Sequence, residues 1–545
     1  MSNSVAELER ADVLFVTGGN PHVAHPVIGS FLTGAKKNGT TVISVDPRVV
    51  TTSKLSDLHL QIDCGTDIPL INAMIHHIIK NDLHDKKFIE ERTHNFENMW
   101  KVVEEYTPEK AAEMTGVQAA DIRKAAEIYA KGPKSAIVWG MGIAQRGNAV
   151  ETVWCLANLA MVCGMIGKES TGLNPLRGQN NVQGACDMAC LPHFLPGYKL
   201  FDEDFARAIG GDAAATQARA DRERFEKAWG VKLNPKHGLT ELEMTDKAGT
   251  GEVKCMYIMG ADPVIANPDS NKVIADLQNL DFFVVQELFM TETAKLADVV
   301  LPGASIAEQY GTVVNTERRI QMVRPAIKPV GNAKPDYEIF IDLMTKFGYE
   351  NNMSTAEDVM KEISQMLPQY AGVTYEKIQR RDTRYEGVRW PIAADAEEGM
   401  RFLHAAGFPV GKAELKAVHY SPIKEPPCND YPMILVTIRD MYHYDNLEMT
   451  GKTKGLMELD PHGMLEVCSA DAKKYNLSNG DKVKISSRRG EVTAITRITD
   501  TIKEGTVFSN FHHPGTHINK VTTSAHDPIA IEPELKACAV QLAKA

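Results

Sequence analysis

The sequence predicts an α/β protein: two Rossmann-like parallel-sheet domains related by an internal repeat, followed by a C-terminal β-barrel domain. Three observations carry this. Short apolar strands alternate with helical periodicity through the first 80 residues. The strand-and-turn segment LFVTGGNPHVAHP at 14–26 is echoed by MYIMGADPVIANP at 256–268. From about residue 430 the hydrophobic period falls to two. The boundaries that follow are an α/β domain over 1–179, a second over 180–335, a helical and linking segment over 336–428, and a barrel over 429–545.

Residues 12–16 are the first buried strand, closed by the turn Gly18-Gly19-Asn20-Pro21. A helix follows over 24–37, then a strand over 41–45 ended by Asp46-Pro47-Arg48. This β–α–β grammar implies a parallel sheet with crossover helices. Helices are expected at 67–80, 84–92, 118–131 and 149–166, with a strand at 135–139 running into Gly140-Met141-Gly142. Residues 169–192 are rich in Gly, Asn and Gln, so this long polar stretch is either disordered or a site. Two more α/β units span 253–305. The segment 375–428 reads as a linker into the barrel, whose strands turn at Asn479-Gly480 and Arg489-Gly490.

The chain has 545 residues and a formal charge of −11, which disfavours nucleic acid or an anionic membrane as the main partner. No apolar run reaches the length of a spanning helix. Nine scattered cysteines without a CxxC pair read as unliganded thiols in a reducing compartment, so the expected location is the cytoplasm. His76-His77 reads as one packed and one solvated imidazole on a helix, and the 23 methionines as core filler.

The repeat is longer than its first turn. TTSKLSDLHL at 51–60 is echoed by TETAKLADVVL at 291–301, and Asp46 is answered by Glu287 at the end of the second strand. A glycine turn after a strand lets backbone approach a pyrophosphate, and an acidic residue on the next strand can accept from a ribose or a purine edge. Either turn alone is weak evidence, since such turns also occur in plain packed structure. Together they suggest two matched nucleotide sites, and so a ligand with two matched halves.

The loop NPLRGQNNVQGACDM at 174–188 resembles the central loop of molybdenum- and tungsten-dependent formate dehydrogenases of the dimethyl-sulfoxide reductase family. VISVDPR, WGMG, YIMGADP, FMTETAKLADVVLPG, TIRDMYHYDNLEMTG and HDPIAIEPELKACAV are similar to that family along the whole chain. The resemblance implies two molybdopterin guanine dinucleotides carrying molybdenum or tungsten, one for each half of the repeat. It implies that Arg177 clamps the formate carboxylate, against the plainer reading of an arginine tying down its own loop. Gln179, Gly142, Gly18, Asn20, Asp46, Arg48 and Asp67 then match cofactor positions in the first half. Gly260, Asp262, Gln286, Glu287 and Asp336 match them in the second, and Arg439, His443 and Lys536 match them in the barrel. The resemblance places His512-His513 in a loop beside the pterin, and no residue is assigned as a metal ligand.

The family also implies a CxxCxxxC cluster for a 4Fe–4S centre and a selenocysteine or cysteine followed by histidine. Neither motif occurs in these 545 residues. The expectation is a truncated reading frame restarted after a UGA codon, with the N-terminal iron–sulfur domain absent, any export signal lost with it, and the chain inactive alone. Formate and carbon dioxide are the expected substrate pair, with an iron–sulfur, hydrogenase or flavoprotein subunit as electron partner. Competing readings are a nitrate reductase-like enzyme of the same family, a split or non-catalytic cofactor-binding subunit, and an NAD-linked protein. The last is disfavoured because neither turn has a full GxGxxG.

Overall fold

The computed structural model describes residues 1–349, 352–380 and 386–545. Its contacts divide the chain into two compact units, which are not consecutive in sequence. One contains Met1–Leu176, Asp262–Ile274 and Phe402–Ala545; the other contains Arg177–Ala261 and Ala275–Arg401.

The first unit is built on a five-stranded sheet whose paired strands all run parallel. Its strands are β1 (Val13–Thr17), β2 (Thr41–Val45), β3 (Leu58–Leu60), β4 (Ser135–Trp139) and β5 (Gly172–Pro175), in the order β3-β2-β1-β4-β5. Every residue of β1 and β4 is buried, as a parallel sheet covered on both faces requires. On one face Val13 and Phe15 share a core with Ile71 and Ile75 of helix Asp67–Lys80 and with Ile122 and Tyr129 of helix Ala119–Lys131. On the other, Leu14 and Val16 pack with Ile28 and Leu32 of helix Pro26–Lys37. Leu415 and Val418, inside the stretch read as a linker, belong to the first of these cores. The Asn72 side chain donates to Val418 O at 3.0 Å, which fixes that stretch against helix Asp67–Lys80.

The same unit holds a closed six-stranded barrel, as the period-2 pattern predicted. Its strands are Met433–Ile438, Met464–Val467, Lys482–Ser486, Glu491–Ile498, Thr506–Asn510 and Cys538–Lys544. Leu435, Leu465, Val483, Ile485, Val507 and Val540 alternate inward to fill it.

The second unit contains a three-stranded parallel sheet: β6 (Cys255–Met259), β7 (Phe282–Glu287) and β8 (Val299–Pro302), ordered β8-β7-β6. Antiparallel strands Gly311–Val314 and Arg319–Val323 and helix Asp336–Lys346 follow. The polar stretch 169–192 is ordered, which removes the disordered alternative. It contains β5 and a short helix, Val182–Asp187, with Gln183, Gly184 and Asp187 buried.

Candidate functional site

The two glycine turns are one design in atomic detail. Gly18, after β1, has φ +56° and its N–H donates to Val45 O at 3.0 Å. Gly260, after β6, has φ +59° and its N–H donates to Gln286 O at 3.0 Å. In each copy the residue two further on opens a short helix. Asn20 O accepts from Ala24 N–H at 2.9 Å, and Asp262 O accepts from Ala266 N–H at 2.9 Å. Asp57 Oδ2 accepts from Val42 N–H at 2.8 Å, and Asp298 Oδ2 accepts from Phe283 N–H at 2.8 Å. The repeated sequence therefore encodes the strand, the turn and the return of the chain to the sheet.

Gly142 acts through its backbone. Its N–H donates to Gly18 O at 2.8 Å, and a Cβ on it would stand 2.8 Å from Gly18 Cα. The Gly18-Gly19 turn and the Gly140-Met141-Gly142 turn therefore close on each other without side chains between them, and Asn20 Oδ1 is left buried with no hydrogen-bond partner.

Asp46, Arg48, Asp67, Arg439 and Lys536 all fall in the first unit. Asp46 Oδ1 accepts from Arg48 N–H at 2.9 Å, while the Arg48 guanidinium donates to Glu466 Oε2 at 2.9 Å. Burial pushes the Asp46 carboxyl up to about 7, opposed by Arg48 and Lys536 and assisted by Asp67. Burial raises Asp67 as well, offset by Arg146, whose Nη1 lies 3.9 Å from Asp67 Oδ2. Lys536 Nζ donates to Thr437 O at 2.7 Å, and burial together with the positive charges of Arg439 and Arg146 pulls its ammonium down to about 7. Burial likewise lowers Arg439, whose guanidinium sits 5.2 Å from the centre of the Phe511 ring.

Arg146 is the residue that the sequence reading missed. Its side chain is 6% exposed, and its Nε and Nη2 have no hydrogen-bond partner. Leaving such donors dry costs about 1–3 kcal/mol each, so they are expected where an anion docks. The one signal in sequence was its place just after the Gly140-Met141-Gly142 turn, in AQRGN.

In the barrel, His443 Nε2 lies 2.7 Å from Asp460 O and so must donate to it. Asp460 Oδ2 and His513 Nε2, 3.8 Å apart, are both buried without hydrogen-bond partners. Ligand-type atoms of His443, Asp460 and His513 lie within 4.8 Å of one another. Because His443 already uses Nε2 as a donor, the trio is set up for polar recognition rather than coordination. Burial raises Asp460 to about 6 and lowers His513 to about 4. His512 is fixed as a neutral ring, accepting from Asp440 N–H at 2.9 Å through Nε2 and donating through Nδ1 to Asp445 O.

The second unit holds Arg177, Gln179, Gly260, Gln286, Glu287 and Asp336, while Asp262 belongs to the first. Gln286 is 1% exposed; its Nε2 donates to Asp336 Oδ1 at 2.6 Å, and its Oε1 accepts from the Tyr257 hydroxyl. Glu287 Oε1 accepts from Leu288 N–H at 2.6 Å. Arg177 N–H donates to Thr316 Oγ1 at 3.2 Å, and its Nη1 points to Cys186 Sγ at 3.5 Å. Gln179 is partly exposed two residues on.

The loop is anchored next door. Asp187 is 1% exposed and accepts from the Tyr370 hydroxyl at 2.6 Å, Trp390 Nε1 at 2.7 Å and Gln183 Nε2 at 2.8 Å. No sequence period could have joined Asp187 to residues 183 and 203 positions away.

The Molybdopterin oxidoreductase family model matches residues 1–346, and the Molydopterin dinucleotide binding domain model matches 433–539. The chain is 42% identical to the F420-dependent formate dehydrogenase subunit alpha of Methanocaldococcus jannaschii, over 99% of this chain and 78% of that protein. It is 36% identical to formate dehydrogenase H of Escherichia coli, over 99% of this chain and 74% of that one. Among solved structures, acetylene hydratase from Pelobacter acetylenicus superposes with a TM-score of 0.75 at 21% identity, covering 99% of this chain and 81% of that one, a likeness of fold. No helix among the described residues is long and apolar enough to cross a membrane.

Proposed function

The chain belongs to the molybdopterin oxidoreductase family, and on that premise we propose that it is the catalytic polypeptide of a formate dehydrogenase. The reaction is HCOO⁻ → CO₂ + H⁺ + 2e⁻, or its reverse, and the electrons pass to a separate redox subunit. The observation that carries this reading is the 174–188 loop. Arg177 is held at its backbone by Thr316, with its guanidinium only partly buried beside Cys186. A planar guanidinium binds a carboxylate through two parallel charge-assisted bonds and keeps its charge at any working pH.

The buried cations and unpaired polar atoms of the first unit fit a polyanionic, amide-rich cofactor. Buried Arg146 and Lys536 suit phosphate, while Asn20 Oδ1, Asp460 Oδ2 and His513 Nε2 suit a ring edge that both donates and accepts. We assign the two glycine turns to two molybdopterin guanine dinucleotides, with Asp46 and Glu287 as the purine or ribose acceptors. Bound there, the cofactor would supply a molybdenum or tungsten centre able to take two electrons. The chain's own residues orient formate through Arg177, keep the loop from shifting through Asp187, and offset phosphate charge through Arg146 and Lys536.

The test is formate-dependent viologen dye reduction by the holoprotein, with pterin and metal content measured in parallel. We expect two pterins per chain. Arg177→Lys is expected to raise KM for formate by about 10–100-fold with kcat changed less, since a bidentate clamp becomes a point charge. Nitrate reduction without formate oxidation would overturn the assignment.

A further inference from the structure

The cysteines divide by what covers them. Cys64, Cys155, Cys163, Cys468 and Cys538 are buried, and burial pushes the Cys64, Cys163 and Cys538 thiols up to about 12. The thiolate is the reactive form, so these are chemically quiet. Cys190, Cys255 and Cys428 are exposed, and Cys186 is half-buried. Of these accessible thiols, Cys186 and Cys190 stand together in the loop that carries Arg177, while Cys255 and Cys428 are far from them in sequence.

The backbone folds the pair together. Helix Val182–Asp187 is entered from Asn181 and followed by Met188 and Ala189. Asn181 and Ala189 both lie in the left-handed region, at φ +60° and +69°. At Ala189 the chain turns back: Ala189 N–H donates to Cys186 O at 3.2 Å, and Cys190 N–H donates to Ala185 O at 2.9 Å. This pair of bonds closes a helix end by laying the next residue over its last turn. Four residues of helical rise span about 6 Å, inside the Cα separation of about 4.4–6.8 Å that a disulfide bridges. The sulfurs already sense each other, since after burial it is the Cys186 sulfur that raises the Cys190 thiol. Cys186 also faces the substrate residue, with Arg177 Nη1 pointing to its sulfur at 3.5 Å.

Resting on the reading of Arg177 as the formate clamp, we propose that Cys186 and Cys190 are a peroxide-responsive dithiol whose oxidation to a disulfide draws Cys186 Sγ off Arg177 and weakens formate binding. Peroxide reaches the exposed Cys190 first. Its thiolate attacks one peroxide oxygen, the O–O bond breaks, and the leaving hydroxide takes the thiol's proton to become water, which leaves Cys190 as a sulfenic acid. Cys186 then attacks that sulfur, the S–S bond forms, and the sulfenic oxygen departs as a second water. In sum, two thiols and hydrogen peroxide give one disulfide and two waters, with two electrons passed from sulfur to oxygen. A dithiol reverses the step by exchange and becomes a disulfide itself.

The test treats the holoprotein with hydrogen peroxide and quenches with iodoacetamide. Trypsin releases Gly178–Lys199, which contains Cys186 and Cys190 and no other cysteine. We expect this peptide unalkylated and lighter by two hydrogens, with the formate KM raised at least about fivefold, kcat changed less, and both restored by dithiothreitol. Cys190→Ser is expected to keep the untreated KM and to lose the response to peroxide. A peptide that is alkylated at both cysteines, or oxidised at one sulfur without the disulfide, overturns the proposal. So does a disulfide that leaves the formate KM unchanged. In both cases formate oxidation by the untreated protein leaves the reading of Arg177 standing. Untreated holoprotein that does not oxidise formate overturns that reading, and the gating with it, even where the disulfide forms.

Discussion

The two parallel sheets share strand order and turn hydrogen bonds, yet one is sealed and the other is open. β1 is buried along its whole length, whereas every second residue of β6 is exposed. The hydrogen bonds from Gly18 to Val45 and from Gly260 to Gln286 are both 3.0 Å. Local geometry therefore follows from about 45 repeated residues, while burial follows from what the rest of the chain lays across them. A strand of five apolar residues records that it needs cover without recording which segment provides it.

The largest expected contrast lies at the paired aromatics. Phe15→Ala removes a ring that is 0% exposed and packed edge-on to Tyr129 at 6.1 Å, so it should cost about 3–5 kcal/mol. Tyr257→Ala, on the open face, should cost about 1 kcal/mol or less in the chain by itself. Urea unfolding midpoints of the two variants measure the difference. Equal losses would mean that the second sheet is as enclosed as the first.

Next come the glycines. A Cβ at Gly18 would stand 2.8 Å from Ile143 N and 3.0 Å from Gly142 C, both backbone, while one at Gly260 meets nothing within 4 Å. Both have positive φ, so alanine is strained at each by about 1 kcal/mol. Gly18→Ala adds the cost of parting two backbones, and we expect about 2–3 kcal/mol in total. The same denaturation experiment should then place Gly260→Ala roughly 1–2 kcal/mol above it.

These contrasts mark what sequence can hold. The parallel strands, the barrel and the repeat were legible because period and turn chemistry are local, and the positive-φ turns at Gly18 and Gly260 follow from that. The 174–188 loop was legible through its motif, and the proposed role of Arg177 rests on that motif. Arg146 was not, because one arginine in a polar loop carries no period, and only the fold shows two of its donors dry. The Asp187 anchor draws on Tyr370 and Trp390, and the 402–428 stretch returns to the first core, joined by contacts that no window spans.

On the assignment proposed above, the two cofactor cradles differ in charge as the sheets differ in cover. The first half has Arg146 buried with two donors unpaired and the Lys536 ammonium buried against only neutral Thr437 oxygens, whereas Gln286 in the second is satisfied within its own protein surroundings. Lys536→Met should therefore lower bound pterin from two to one per chain, measured by the fluorescence of the released, oxidised cofactor. In the cofactor-free chain the same change should raise stability. The Lys536 ammonium has a folded-state pKa near 7, below its unfolded value. Its burial penalty is thus full below pH 7 and fades as pH rises toward about 10.4. The gain from Lys536→Met should be largest near pH 6 and absent above about pH 10. A pH-independent gain would mean that Lys536 has the same pKa folded and unfolded, so that burial imposes no protonation-linked penalty on it.

The smallest effect tests the repeat at a single carboxylate. Asp57 and Asp298 each accept a β-strand N–H at 2.8 Å, but Asp57 also accepts from the Lys36 ammonium. Desolvation works against this, yet the Lys36 and Val42 bonds win and hold the Asp57 carboxyl below its ordinary value. A carboxyl depressed in the folded state stabilises above its unfolded pKa, and that contribution is lost as pH falls through the folded pKa. Asp57 is 41% exposed on its side chain, so solvent screening limits the ion pair to about 0.5 kcal/mol. Asp57→Asn should therefore cost slightly more than Asp298→Asn at pH 7, and the difference should shrink in 1 M salt and be lost as pH falls through the depressed Asp57 pKa. If instead the two asparagines cost the same at every pH and salt, the strand N–H bond alone is the conserved work of this position. Lys36 would then be a surface contact of no energetic consequence.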